Sequence, residues 1–286
     1  MTGPRLGAHM SVAGGMHRAV DHARAVEAGA LQVFVKSPNQ WAARPFAPGE
    51  VDAYRAAADG AGLARHTLAH ASYLINLGSP DATLWEKSIA AFVLELSRCE
   101  TLGIPWLVVH PGSHMGSGVE TGCARVATAL DRVFTRTPAP RCGVLLENTA
   151  GQGNTLGAGP EELAEMLRHA GHDERVGLCF DTCHALAAGH DLRDAASYAR
   201  TMGHFDRVIG LKRLKGIHLN DSQTDLGSRR DRHAHIGQGK LGLEAFRAVL
   251  NDERFQDVPM VLETPKADDL AEDRMNLGVL RSLVRP

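Results

Sequence analysis

WLVVHP, Trp106–Pro111, sets four apolar residues in a row and then delivers a histidine. A run this short and this apolar reads as a strand buried on both faces, which is the habit of a parallel sheet and not of a half-solvated hairpin. Comparable runs recur at Arg5–His9, Leu31–Lys36, Arg65–His70, Gly143–Asn148, Val176–Asp181, Lys215–Asn220 and Pro259–Thr264. Each is followed by a longer segment with helical spacing, so the chain reads as eight βα units.

The clearest helix follows the third strand. Trp85, Ile89, Phe92 and Leu96 repeat at steps of four and three behind a capping Asp81, and Gly103 ends the pattern. No Ser-, Gly- or Pro-rich linker divides the 286 residues. Eight units closing on themselves predict an α/β fold, a single (β/α)8 TIM barrel spanning residues 1–286. A six-stranded open sheet is the alternative.

Hydrophobic residues make up 44% of the chain and charged residues 22%, enough apolar surface for a large core and no signature of disorder. The formal net charge of −2 excludes an overall cationic field, so any nucleic-acid contact must come from a local patch. Five widely spaced cysteines, with no basic-then-apolar leader before Leu6, lead us to expect a reducing, cytoplasmic setting. No apolar run approaches the ~20 residues that span a bilayer. The 15 histidines direct attention to metal.

Metal-competent side chains fall at the C-terminal end of strand after strand: His70, His110, Glu147, Asp181, His218 and Glu263. In a barrel these ends converge on the face where active sites are built. One histidine at a strand end is ordinarily a hydrogen-bonded structural group, but six successive strands presenting His, His, Glu, Asp, His and Glu are not explained that way. Buried together without cations, the carboxylates would repel. His184, Asp231 and His233 lie in loops on the same face and suit one more site. Nine mixed ligands exceed what one tetrahedral ion takes, and carboxylates bridge, so two or three ions are expected. Imidazole with carboxylate favours zinc, with manganese or iron as alternatives. Cys179 and Cys183 flank Asp181, but no second cysteine pair completes a thiolate cage, and packing is their expected role. His9 and His114 are expected to orient the ligands and not to bind metal themselves.

These residues sit in longer motifs. GAHMSVAGG (Gly7–Gly15), HASYLINLGSP (His70–Pro80), HPGSH (His110–His114), ENTAGQG (Glu147–Gly153), FDTCHALAAGHDLR (Phe180–Arg193), HLNDS (His218–Ser222), GSRRDRHAHIGQG (Gly227–Gly239) and LETP (Leu262–Pro265) run in order over essentially the whole chain. Together they resemble the endonuclease IV family. The resemblance implies three zinc ions per chain, with manganese an alternative at one site. By that mapping His70, His110 and Glu147 hold the first ion. Glu147 bridges to a second held also by Asp181, His218 and Glu263, and His184, Asp231 and His233 hold the third.

It implies hydrolysis of the phosphodiester 5′ to an abasic nucleotide, leaving a 3′-hydroxyl and a 5′-deoxyribose phosphate, with a 3′-end-cleaning phosphodiesterase activity besides. Glu147 and Glu263 are the candidates to assist deprotonation of water, and the sequence does not choose between them. The expected partner is double-stranded DNA containing abasic sites, met by a monomer with no membrane association.

For the duplex, Arg229, Arg230 and Arg232 surround Asp231 and are candidate phosphate contacts; Lys212, Arg213 and Lys215 form a second basic cluster before the seventh strand. Tyr73 and Leu74, in the loop after the third strand, are candidate wedges for the damaged position. In SPNQW (Ser37–Trp41) the family commonly places arginine where this chain has Asn39, so insertion of a long cationic side chain does not carry over. Asn39 and Gln40 remain candidate DNA contacts. A sugar isomerase of the xylose-isomerase type also uses a metal barrel but needs fewer ligands. A silent DNA binder with structural zinc would enclose its ion with four protein ligands.

Overall fold

Both faces of every apolar run are buried, and that is what makes strands of them. The computed structural model describes residues 3–137, 141–169, 174–267 and 269–285. Its strands β1 (Arg5–His9), β2 (Ala30–Phe34), β3 (Thr67–His70), β4 (Trp106–Val109), β5 (Gly143–Glu147), β6 (Val176–Asp181), β7 (Leu214–His218) and β10 (Pro259–Leu262) form a closed parallel barrel, β10 completing it between β7 and β1. A two-residue ribbon, β8 (Asp221–Ser222) against β9 (His233–Ala234), lies outside it. Helices α1 (Met16–Ala25), α2 (Glu50–Gly60), α3 (Ala82–Leu102), α4 (Val119–Arg136), α5 (Pro160–His169), α6 (Thr182–Ala188), α7 (Ala195–Val208), α8 (Leu243–Leu250) and α9 (Ala271–Leu283) complete the βα units.

The expected strands are all present, several ending earlier. The strands expected to reach Pro111 and Thr264 leave the ladder after Val109 and Leu262, so His110 and Glu263 stand one residue beyond their strands. Ala64–His66 is a 3-10 turn that delays β3 to Thr67, and the strand expected at Lys215–Asn220 starts at Leu214 and ends at His218. In α3, Asp81 accepts from the Leu84 amide at 2.7 Å, and Gly103, at φ 78°, ends the helix in the left-handed conformation. Ile89, Phe92 and Leu96 are fully buried.

Period-two alternation sorts the strand residues into two environments. Leu31, Val33, Ala69, Leu107, Val109, Val144 and Leu146 join the helices in one large core. Ala30, Leu68, Val108, Leu145, Cys179 and Val261 form a separate cluster that fills the barrel. Two residues further along each of these strands, on the same inward side, come Gln32, His70, His110, Glu147, Asp181 and Glu263. The same step leads from Gly216 to His218 in β7 and from Gly7 to His9 in β1. The apolar plug is therefore the floor of the polar layer above it.

Glycine is a steric requirement at Gly7, and at Gly216 a side chain would have to be accommodated by small shifts of its neighbours. A Cβ on Gly216 would meet Leu68, Leu145 and Cys179 at 3.1 to 3.4 Å, and one on Gly7 would lie 1.8 Å from the Ala30 carbonyl oxygen. Gly7→Ala should accordingly force β1 off β2 and lower the unfolding free energy in urea by about 3 kcal/mol or more, beyond ordinary overpacking. A loss below about 1 kcal/mol would show that β1 does not approach β2 this closely.

Candidate metal centre

Glu147 ends β5 at the middle of the polar layer and is completely buried. Its two oxygens face different partners. Oε2 lies 3.0 Å from His70 Nε2 and 3.2 Å from His110 Nε2. Oε1 lies 2.9 Å from His218 Nδ1 and 3.3 Å from His184 Nδ1. Around this carboxylate the nine expected ligands fall into three sets whose ligand atoms lie within 4.8 Å of one another: His70, His110 and Glu147; Glu147, Asp181, His218 and Glu263; His184, Asp231 and His233.

Most of the histidines are oriented through one ring nitrogen, leaving the other for the centre. Nδ1 of His70 donates to the Ala71 carbonyl at 2.8 Å, and Nδ1 of His184 bonds the Asn148 carbonyl at 2.9 Å. Nδ1 of His233 bonds the Glu263 carbonyl at 3.0 Å. For His218 it is Nε2 that donates, to Gln32 Oε1 at 2.8 Å. The outward nitrogens then meet carboxylates: His184 Nε2 is 3.2 Å from Asp231 Oδ2, and His233 Nε2 is 3.2 Å from Asp231 Oδ1. That His233 nitrogen is buried and, despite the distance, lacks the geometry of a hydrogen bond.

The carboxylates are held as firmly. Asp181 caps α6 by accepting from the His184 amide at 2.8 Å, and Asn220 Nδ2 donates to its other oxygen at 2.7 Å. Asn148 clasps the Asp181 backbone from both sides, accepting from its N–H at 2.7 Å and donating to its carbonyl at 3.0 Å. Gln32 Nε2 donates to Glu263 Oε1 at 2.6 Å. Gln32, Asn148 and Asn220 were not singled out from the sequence. Asn148 and Asn220 stand inside the ENTAGQG and HLNDS motifs, and Gln32 is a lone amide in an apolar strand, which is the signal that could have found it.

Burial opposes ionisation of Glu147, but His218 and His110 override it and hold the carboxyl well below the usual range. Burial likewise opposes charge on Glu263, and His218 with His9 again reverses the outcome. Burial disfavours protonation of His184 and His233; Asp181 and Asp231 raise the first well above its ordinary value, and Asp231 with Asp181 holds the second at about 9. The cluster thus keeps its carboxylates ionised by gathering positive charge onto its imidazoles, a role that divalent cations fill by displacing protons.

His9 lies with Gln32 and Glu263, its Nδ1 3.1 Å from Gln32 Nε2 and 3.4 Å from Glu263 Oε1. His114, expected to act alongside it, has hydrogen bonds to its own loop instead: Nδ1 accepts from the Gly116 and Gly118 amides, both at 3.2 Å. Cys179 belongs to the apolar plug. Cys183 is buried, with Sγ within 4.8 Å of ligand atoms of Asp181 and His233.

Two adjoining depressions of about 530 and 450 Å³ open onto the centre, and Tyr73, His110, His184 and Asp231 line both. Tyr73 is 65% exposed between them, its ring edge-on to Phe34 at 5.6 Å, and Leu74 beside it is half-buried. Asn39, Gln40, Arg229, Arg230 and Arg232 are exposed. Lys212, Arg213 and Lys215 lie at the start of β7, the end of the barrel opposite the ligands.

A family model described as a xylose isomerase-like TIM barrel matches residues 20–283. The chain is 51% identical over 282 residues to the "Probable endonuclease 4" of Chloroflexus aurantiacus, covering 99% of each. It is 48% identical to the protein of that name from Geobacter sulfurreducens, covering 98% of this chain and 94% of the relative. The solved structure of endonuclease IV from Thermus thermophilus superposes with a TM-score of 0.86 at 40% identity, covering 98% of both. With its barrel, its site geometry and these likenesses over nearly the full length, the chain belongs to the endonuclease IV family.

Proposed function

We propose that the protein is a zinc-dependent DNA-repair endonuclease that hydrolyses the phosphodiester 5′ to an abasic nucleotide in duplex DNA, leaving a 3′-hydroxyl and a 5′-deoxyribose phosphate. The observation that carries this reading is the three-part ligand cluster floored by the barrel plug and open to a groove that Tyr73 and Arg232 line. The residues fit divalent metal: nitrogen and carboxylate oxygen donors converge, and the buried His233 Nε2 has no hydrogen-bond partner among the described residues. In this reading His70, His110 and Glu147 hold one ion, Glu147, Asp181, His218 and Glu263 a second, and His184, Asp231 and His233 a third. When bound, such ions supply Lewis acidity toward phosphate oxygens and acidify water near neutral pH.

The chain's own groups divide the remaining work. Glu147, with no exposed surface and both oxygens engaged, would serve both of the first two sets. Glu263, whose side chain is 19% exposed and which lines the larger depression, is the better placed to take a proton from water. His9 and Gln32 fix its orientation. Arg229, Arg230 and Arg232 meet phosphates, and Asn39 and Gln40 approach the duplex from the loop after β2. Tyr73 and Leu74 enter at the damaged position, where no base has to be unstacked or unpaired. Two ligand sets contribute three residues each, which leaves room for substrate and argues against a closed structural zinc.

The test is incubation of the full chain with a duplex carrying one abasic analogue. Cleavage on the 5′ side with a 3′-hydroxyl end, abolished by chelator and restored by zinc, is expected; turnover of an aldose with no cleavage would reverse the assignment in favour of an isomerase. Tyr73→Ala should weaken abasic-duplex affinity by about 1–3 kcal/mol, the scale of one base–aromatic stacking contact, and reduce single-turnover cleavage at saturating protein by less. Because Tyr73 is largely exposed, its melting temperature should hardly move. Unaltered discrimination between abasic and intact duplex would rule the wedge out.

A further inference from the structure

Beside the candidate ligands, Lys36, which lines the larger depression, and Glu95 form an ion pair with side chains 2% and 1% exposed and Nζ 3.3 Å from Oε1. Lys36 follows β2 by two residues, and Glu95 lies in the body of α3. Desolvating two opposite charges is costly, and apolar side chains of equal volume would hold a helix against a strand at least as well. Stability alone therefore does not account for the pair.

Its remaining contacts do. The Lys36 ammonium donates to the carbonyls of Ser37, at 3.1 Å, and Gln40. The Glu95 carboxylate accepts from the Ser72 amide, at 3.1 Å to Oε2 and 3.4 Å to Oε1. One partner thus grips the loop Ser37–Trp41, and the other grips the residue immediately before Tyr73. Phe34, at the end of β2, adds an apolar link through its edge contact with the Tyr73 ring. Burial pushes the Glu95 carboxyl up and Lys36 opposes that shift, so the charge that holds Ser72 depends on the residue that holds Ser37 and Gln40.

We propose that the Lys36–Glu95 pair is a positioning device that locks the loop after β2 and the loop after β3 to each other, so that recognition of the damaged position depends on it while the chemical step does not. This rests on the reading that both loops meet the duplex. The two loops are separated in sequence by α2 and β3 and have to reach one lesion together. A charge pair gripping backbone on both sides fixes their spacing independently of loop side chains, which leaves positions such as Asn39 free to vary.

The experiment uses the metal-replete full chain with Glu95→Gln, Lys36→Met and the double substitution. Glu95→Gln keeps the shape while removing the charge and one of the two acceptor oxygens, so it carries the test even if Lys36→Met fails to fold. Without DNA, hydrogen exchange in Glu95→Gln should quicken in both segments, 37–41 and 71–75, with the barrel strands unchanged. With DNA, Kd for abasic duplex should rise roughly tenfold, that for intact duplex about twofold or less, and the single-turnover rate at saturating protein should stay within about twofold. The double variant should resemble the worse single one, the mark of a shared interaction. Exchange that quickens in one loop only, or throughout the barrel, overturns the proposal in favour of a packing strut. Loosened loops with unchanged affinity overturn it as well, and Tyr73→Ala then tells whether these loops meet the duplex at all.

Discussion

Everything at the C-terminal face depends on one carboxylate, that of Glu147, being kept ionised where no water reaches it. An isolated charge there would be prohibitive, and the surrounding architecture is the answer to it: four imidazole nitrogens within 3.3 Å, distributed over both oxygens. Because each oxygen faces a different group of histidines, Glu147 joins what would otherwise be separate ligand sets. The Ala71 carbonyl and the Gln32 amide that tie down the far side of the His70 and His218 rings serve the same need, since a ring free to turn would uncover the charge.

The barrel supplies this arrangement through its pleat. Residues two apart on a strand share a side, so an apolar residue in the plug dictates that its second neighbour faces the centre. Leu145 and Glu147, or Leu68 and His70, are one decision and not two. The six strand-end candidates inherit the rigidity of a packed floor, whereas His184, Asp231, His233 and the candidate DNA contacts stand on segments above it.

That division explains what was legible in the sequence. The six strand-end candidates were visible because strand and metal-competent residue recur at one spacing, and local pattern was enough to align them. Gln32 was not, because its importance comes from touching His218, Glu263 and His9, three residues remote in sequence. The ribbon β8–β9 was also missed: two residues per strand carry no periodicity, although pairing Ser222 with His233 fixes a ligand. His114 shares a motif with His110, yet in the loop after β4 it accepts from glycine amides of its own loop. The Lys36–Glu95 pair was beyond reach for the same reason as Gln32, a contact across 59 residues between two types ordinarily found on the surface.

The central claim, that Glu147 binds separate ligand sets into one multinuclear centre, is tested most directly by elemental analysis of metal-replete protein beside its Glu147→Gln variant. The account predicts about three divalent ions per chain in the wild type and about two in the variant, in which the first set keeps only His70 and His110 while the other two keep three ligands each. A value near one in fully active wild-type protein, or three ions in both, would contradict it.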